Sequence, residues 1–178
     1  MLKKDNRTKV LEVFFDNPLP ESIGFHLREI STSIKLAPKS VKLYLVILEK
    51  EKLVVKKILH KYPVYFANRD NAYFKFLKKL NMLSRIKESG LLDYLDEKCM
   101  PDSIILFGSA SKGEDIKSSD IDLFLGSKEK DLDLLHYEKK LHRSISLFFE
   151  ADFDRLSNEL KQNIINGDKL SGFLKVKF

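Results

Sequence analysis

The chain has 178 residues, 43% hydrophobic and 33% charged, with a formal net charge of +6. That balance predicts a globular protein of one large or two small domains and excludes a low-complexity or collagen-like chain. No apolar run approaches the ~20 residues of a membrane-spanning helix. The N-terminal "MLKKDNRTKV" lacks the apolar core of a signal peptide, and the single Cys99 permits no internal disulfide. A cytoplasmic protein with no membrane partner is expected.

The charge is uneven. Residues 1–98 hold 20 Lys and Arg against 12 Asp and Glu, whereas residues 99–178 hold 12 against 14. A basic first half beside a slightly acidic second half predicts two modules, the first suited to a polyanion.

In chain order, Val10, Leu11, Phe14 and Phe15 recur at helical spacing over Asn6–Phe15. "DNPLPES" breaks that helix at Pro18 and Pro20. Leu27, Ile30 and Ile34 share one face of a second helix over Phe25–Ile34. Pro38 suits the first position of a third helix, which carries Val41, Tyr44, Leu45 and Leu48 inward. The period then changes to that of strands. "LVVKKIL" and "PVYFAN" read as a hairpin with "HKY" at its tip. Three helices followed by a two-stranded wing is the winged helix-turn-helix order. In such a module the N-terminal residues of the third helix meet the base edges of duplex DNA. Those residues are Lys39, Ser40 and Lys42, with Lys56, Lys57, His60 and Lys61 in the wing. The module is expected to end near residue 70.

A long helix follows over Asn71–Ser89, with Phe74, Leu77, Leu80 and Leu83 at every third position. Phe76, Met82 and Ile86 widen its stripe, and Gly90 ends it. Tyr73, Phe74 and Phe76 are expected to pack inward. "LLDYLDEKC" adds a short helix, so residues 71–99 read as a helical linker. From residue 100 strands and helices alternate. "SIILFGS", "DIDLFLG" and "ISLFFEADF" are strands. "LDLLHYEKKLHRS" is a helix with Leu132, Leu135 and Leu141 on or near one face, and its His136 and His142 are surface residues. "RLSNELKQNIING" is the last helix, and "SGFLKVKF" a final strand or tail. The overall fold class is α+β in two domains, with a small mixed sheet in residues 100–178.

The chemistry concentrates in "FGSASKGEDIKSSDIDLFLG", Phe107–Gly126. In a strand, residues i and i+2 point the same way, so Asp120 and Asp122 share a face. Two carboxylates that close repel each other unless a cation lies between them. Hard oxygen donors suit Mg²⁺ or Mn²⁺, and Mg²⁺ commonly joins one or two carboxylates to substrate phosphates. Glycine at 108 lets a phosphate approach the backbone of the Gly108-Ser109 turn. Ser109 adds a hydroxyl and Lys112 a positive charge.

"LFGSASKG…SDIDLFL" resembles the signature of the DNA-polymerase-beta-like nucleotidyltransferase superfamily, most closely its minimal nucleotidyltransferase type. With an N-terminal winged helix, the chain looks like an archaeal group within that superfamily. The resemblance implies Mg²⁺-dependent transfer of a nucleoside monophosphate from an NTP, with ATP the expected donor, to a hydroxyl of a protein or small molecule. Gly108 and Ser109 would hold the triphosphate, and Asp120 and Asp122 the metal. Catalytically complete members carry a third carboxylate on the next strand. Here Ser146 aligns with that position, and a hydroxyl is no general base at neutral pH. Glu150 has the same strand parity four residues on and is the substitute candidate as a metal ligand. Two readings follow. One is an active nucleotidyltransferase. The other is a winged-helix DNA-binding regulator, single or as a homodimer, whose second domain senses nucleotide or acts as a scaffold.

Overall fold

The computed structural model describes residues 5–18 and 23–175. Pro20, within the predicted helix-breaking stretch, and the end of the predicted C-terminal strand lie outside them. The chain divides into two compact units, 1–78 and 79–178. Among the described residues no helix is long and apolar enough to cross a membrane.

The first unit contains α1 (Asn6–Asp16), α2 (Leu27–Ser33), α3 (Pro38–Lys50), β1 (Val54–Leu59) and β2 (Tyr62–Ala67). Local chemistry places each helix start. Asp5 accepts the Thr8 N–H at 2.7 Å to cap α1, and this hydrogen bond holds the Asp5 carboxyl below its ordinary value. His26 donates its backbone N–H to Glu29 at 2.7 Å at the head of α2. Pro38 opens α3 as its first residue. The predicted inward positions hold: Val10, Phe14, Ile30, Val41, Leu45 and Leu48 are fully buried in one core, joined by Leu53, Val54 and Phe74. Phe14 meets Phe25 edge-on with ring centres 5.5 Å apart.

The β1–β2 hairpin turns on two residues, with Leu59 paired to Tyr62. His60 and Lys61 both have positive φ, 49° and 71°. That is the backbone of a tight hairpin turn usually made by Asn-Gly. Phe25 adds a bridge to Tyr65, tying the segment before α2 to the sheet.

α4 (Ala72–Ser89) runs across the boundary between the units. Four of its buried positions, Phe74, Lys78, Met82 and Ile86, are spaced by four, and Ser89 is buried at its end. The predicted every-third-residue stripe breaks at Leu80, while Leu83 is partly buried against the core of the second unit. Three residues advance a helix by about 300°, so that stripe rotates off the face at each step, while a four-residue step drifts less. Leu80 is therefore exposed. Tyr73 and Phe76 are exposed as well, stacked on each other at 6.3 Å, and of the three aromatics only Phe74 is core.

The second unit continues with α5 (Leu91–Cys99), β3 (Ser103–Phe107), α6 (Gly108–Lys112) and β4 (Ile121–Leu125). Next come α7 (Leu135–Leu141), β5 (Ile145–Phe149), a 3₁₀ turn (Phe153–Arg155), α8 (Asn158–Ile165) and β6 (Asp168–Gly172). α5 is no mere linker: Leu91, Leu92, Leu95 and Cys99 are core residues of this unit. Burial raises the Cys99 thiol above its ordinary value. α7 is shorter than the predicted helix, leaving Leu132 outside it; Leu135 is exposed and only Leu141 is fully packed.

The four strands order as β5-β4-β3-β6. β3 is antiparallel to β4 and β6, and β4 is parallel to β5. Strand alternation sends Ile104, Leu106, Ile121, Leu123, Leu125 and Ile145 to one face, against α5 and Leu141. Ile105 and Phe124 point to the other, where Phe153, Leu156 and Ile164 cover them. Asp122 has the parity of Phe124. It therefore lies on this second face, two residues from Phe124 toward the strand's start.

Candidate functional site

The site begins where β3 ends. Phe107 is extended, and Gly108 then turns at φ 72°, a left-handed conformation that favours glycine. A Cβ on Gly108 would overlap the Asp122 carboxylate. The missing side chain is thus what lets the β3–α6 turn and the carboxylate lie side by side. The register agrees, pairing Phe107 with Asp122 across β3 and β4.

The turn is braced locally. Ser111 donates its hydroxyl to the Gly108 carbonyl at 2.9 Å, and the Glu114 N–H reaches the Ser109 carbonyl at 3.0 Å. Ser109 is half-buried beside it, and Lys112 is exposed at the helix end. The connection back to β4 closes through a reciprocal pair. The Ile116 N–H donates to the Ser119 hydroxyl, and the Ser119 N–H to the Ile116 carbonyl, each at 2.9 Å. That turn delivers Asp120 to the mouth of β4.

Asp120 is exposed and Asp122 half-buried. Burial, and next the Asp120 charge, raise the Asp122 carboxyl above its ordinary value of 3.8. The pair stores the repulsion that a cation would relieve. Among the described residues there is no group of three or more His, Cys, Asp or Glu poised to hold a metal ion. The pair is what this face offers.

Ser146 stands directly opposite Asp122 in the parallel β4–β5 register and is exposed. Glu150 is not brought to the pair. It follows β5, four residues beyond Ser146, or about 13 Å along the strand. Its carboxylate accepts the Asp152 N–H at 2.9 Å, and its own N–H binds the Leu125 carbonyl at the far end of β4. Strand parity gives the right face for Glu150; distance along the strand removes it from the pair.

A buried ion pair close to this site escaped sequence reasoning. Arg143 lies 3.5 Å from Asp115, with side chains 4% and 2% exposed. Asp115 lies five residues before Asp120 and Arg143 two before β5, so the pair ties together the two segments that lead into β4 and β5. The only sequence signal is one acid among three in the 113–120 loop, which is too common to single out.

In the first unit Lys39 and Lys42 are exposed at the start of α3, with Ser40 half-buried between them. Lys56 and Lys61 are exposed on the hairpin. Lys57 points to the opposite face of β1 from Lys56, with its ammonium 5.6 Å from the centre of the Phe66 ring. The structure does not bring Lys56 and Lys57 to one surface.

Residues 90–170 match a family model described as Polymerase beta, Nucleotidyltransferase. That span runs from Gly90, just before α5, into β6 and contains the Gly108 turn and both aspartates. The match supports the nucleotidyltransferase superfamily for this part of the chain and, in general terms, nucleotidyl transfer. No curated protein and no solved structure matches the chain.

Proposed function

We propose that this protein is a divalent-metal-dependent nucleotidyltransferase that moves a nucleoside monophosphate from an NTP, ATP first among them, to a hydroxyl. The observation that carries the reading is the juxtaposition of the Gly108 turn and the Asp122 carboxylate, with Asp120 beside them. A carboxyl raised by burial and then by its neighbour's charge, next to a glycine that leaves the backbone open, fits a cation shared with substrate phosphates. Asp120 and Asp122 would hold Mg²⁺ or Mn²⁺, which supplies Lewis-acid stabilisation of charge on the reacting phosphate. Gly108 and Ser109 would hold the triphosphate, and Lys112 would offset its charge from the end of α6. The test is incubation with Mg²⁺ and ATP labelled at the α-phosphorus. Label should pass to an acceptor with wild type and not with Asp120→Asn. The reading fails if no label moves with any divalent metal and Asp120→Asn leaves ATP affinity unchanged.

A second reading is favoured by one observation: Ser146, not an acid, faces Asp122. In that reading the second unit binds nucleotide without turnover, and the first unit is a winged-helix module that binds duplex DNA through Lys39, Ser40 and Lys42, as monomer or homodimer. Its support is the three-helix and hairpin order with exposed cations at the start of α3. Metal-dependent ATP binding without label transfer, together with salt-sensitive duplex binding, selects it.

A further inference from the structure

A cavity of about 350 Å³ opens beside Asp120. Its wall is made by the Lys117–Asp120 turn, by Glu138 and Lys139 of α7, and by His142–Ser144 just after it. The topology separates it from the Gly108 turn. The Gly108 turn leaves β3, on one flank of β4. The cavity lies toward β5, on the other flank, where the Ile121 N–H donates to the Ser144 carbonyl at 2.9 Å. Asp120 stands between them.

The cavity is polar and basic. Lys117 and Lys139 are exposed, and neither joins an ion pair among the described residues. His142 caps α7 in a left-handed conformation, φ 55°, and Ser118 and Ser144 add hydroxyls. Three other charged groups line it: Asp120, which belongs to the carboxylate pair, and Arg143 and Glu138, which are already engaged. Arg143 is paired with Asp115, and the Glu138 carboxylate accepts the Ile145 N–H at 2.9 Å. Beyond the Asp120 carboxylate at its edge, which the transfer reading gives to the metal, the cavity offers a ligand two ammonium groups, an imidazole and hydroxyls, with no large apolar side chain. That set recognises an anion.

We propose that this cavity binds the acceptor, and that the acceptor is a small hydroxyl compound bearing a phosphate or carboxylate group. The proposal rests on the nucleotidyl-transfer reading. Displacement at a phosphorus runs in line, so the acceptor enters opposite the departing pyrophosphate. With the triphosphate on the Gly108 side of Asp120, the acceptor belongs on the Lys117/Lys139 side. The acceptor oxygen forms a bond to the α-phosphorus. The bond from that phosphorus to the bridging oxygen breaks, and its electron pair leaves with pyrophosphate. The hydroxyl proton passes to water, since the facing residue, Ser146, is no base. The products are the nucleotidylated acceptor, pyrophosphate and one proton.

The test uses the full chain with Mg²⁺ and three probes: glycerol 3-phosphate, glycerate and glycerol. Amide NMR titration should shift Lys117–Ser119 and His142–Ser144 with the two anions and not with glycerol. The stronger of the two distinguishes phosphate from carboxylate. Charge reversal of the exposed lysines, K117E with K139E, should weaken that binding at least tenfold without disturbing the core. Label from α-labelled ATP should reach the bound anion at least tenfold faster than it reaches glycerol. The proposal is overturned if the three probes behave alike, if the double variant binds as wild type does, or if the shifts centre on Gly108–Ser111. Anion binding in the cavity with no label moving to any probe would also overturn the acceptor role, and would place the failure in the transfer reading. Label moving equally to all three would leave transfer standing and remove only the acceptor assignment.

Discussion

Asp122 on β4 and Ser146 on β5 face each other in a parallel register, on the sheet face that also carries Phe124. A hydroxyl there neither repels the Asp122 carboxylate nor takes a proton from an acceptor. Ser146→Asp should therefore act in two opposite directions. Without metal, a third acid adds repulsion, and the variant should melt below wild type. With Mg²⁺, transfer of label from ATP should rise, on the order of 10²-fold if the missing base limits turnover. Thermal melts with and without Mg²⁺, beside the transfer assay, check both. A variant that melts lower and transfers no faster shows that the third position is not what limits the reaction.

Gly108→Ala should remove metal-dependent ATP binding. The left-handed φ alone costs about 1–2 kcal/mol for a residue with a Cβ, and that Cβ would displace the Asp122 carboxylate. Gly90→Ala is the control. Gly90 has φ 84° and nothing within 4 Å of the added atom, so it carries backbone strain alone. Equal losses of stability with ATP binding lost only in the Gly108 variant would locate the effect at the carboxylate.

The pH dependence of the metal-free protein follows from Asp122. Its folded carboxyl titrates above the ordinary 3.8 because of burial and then Asp120. In the window between the two values the folded state holds more proton than the unfolded one, so stability falls as pH rises through it. Asp122→Asn removes that loss. The variant should match wild type below pH 3.8 and exceed it at neutral pH, by a small margin because the group is partly solvated. Adding Mg²⁺ at neutral pH should raise the melting temperature of wild type and not of the variant. Urea titrations at several pH values measure the first effect and thermal melts the second.

Arg143→Met should cost about 3–5 kcal/mol, since it leaves Asp115 charged in a nearly dry site. Adding Asp115→Leu should recover most of the loss. Urea denaturation of the two variants tests this. Little loss in the single variant would mean that the carboxylate finds water or another partner.

Duplex DNA binding, if carried by the start of α3, should weaken on Lys39→Glu and Lys42→Glu. The slope of log affinity against log salt should fall by about 0.9 for each phosphate that the protein no longer neutralises. Lys56→Ala should matter more than Lys57→Ala, because the Lys57 ammonium lies over Phe66 on the opposite face. Fluorescence anisotropy across a salt series reads both. Equal effects of the two wing lysines would refute the face assignment.

Much of the fold is legible in sequence because it depends on period. The helices of the first unit, the hairpin and the β3-turn-β4 stretch follow from apolar spacing, Pro38 and the Gly-Ser turn. α4 departs from its expected period. A stripe repeating every three residues cannot stay on one face, so Leu80 falls outside the core while Lys78 falls inside. Tyr73 and Phe76 stack on the exposed side of the helix while Phe74 turns into the core, a split that a linear run of aromatics conceals.

The sequence by itself determined that a glycine turn precedes two acids one residue apart, because glycine's backbone freedom is a local property; Asp120 lies just before β4, so strand parity fixes the face of Asp122 alone. Tertiary structure decided the rest of the site. The β3–β4 register put Gly108 against Asp122, and the β4–β5 register set Ser146, not Glu150, opposite it. Packing of the segments before β4 and β5 buried Asp115 against Arg143 and left Lys117 and Lys139 around a cavity. Those outcomes depend on which strands pair and in what register. Register is settled by burying both faces of the sheet at once, which no single stretch of sequence encodes.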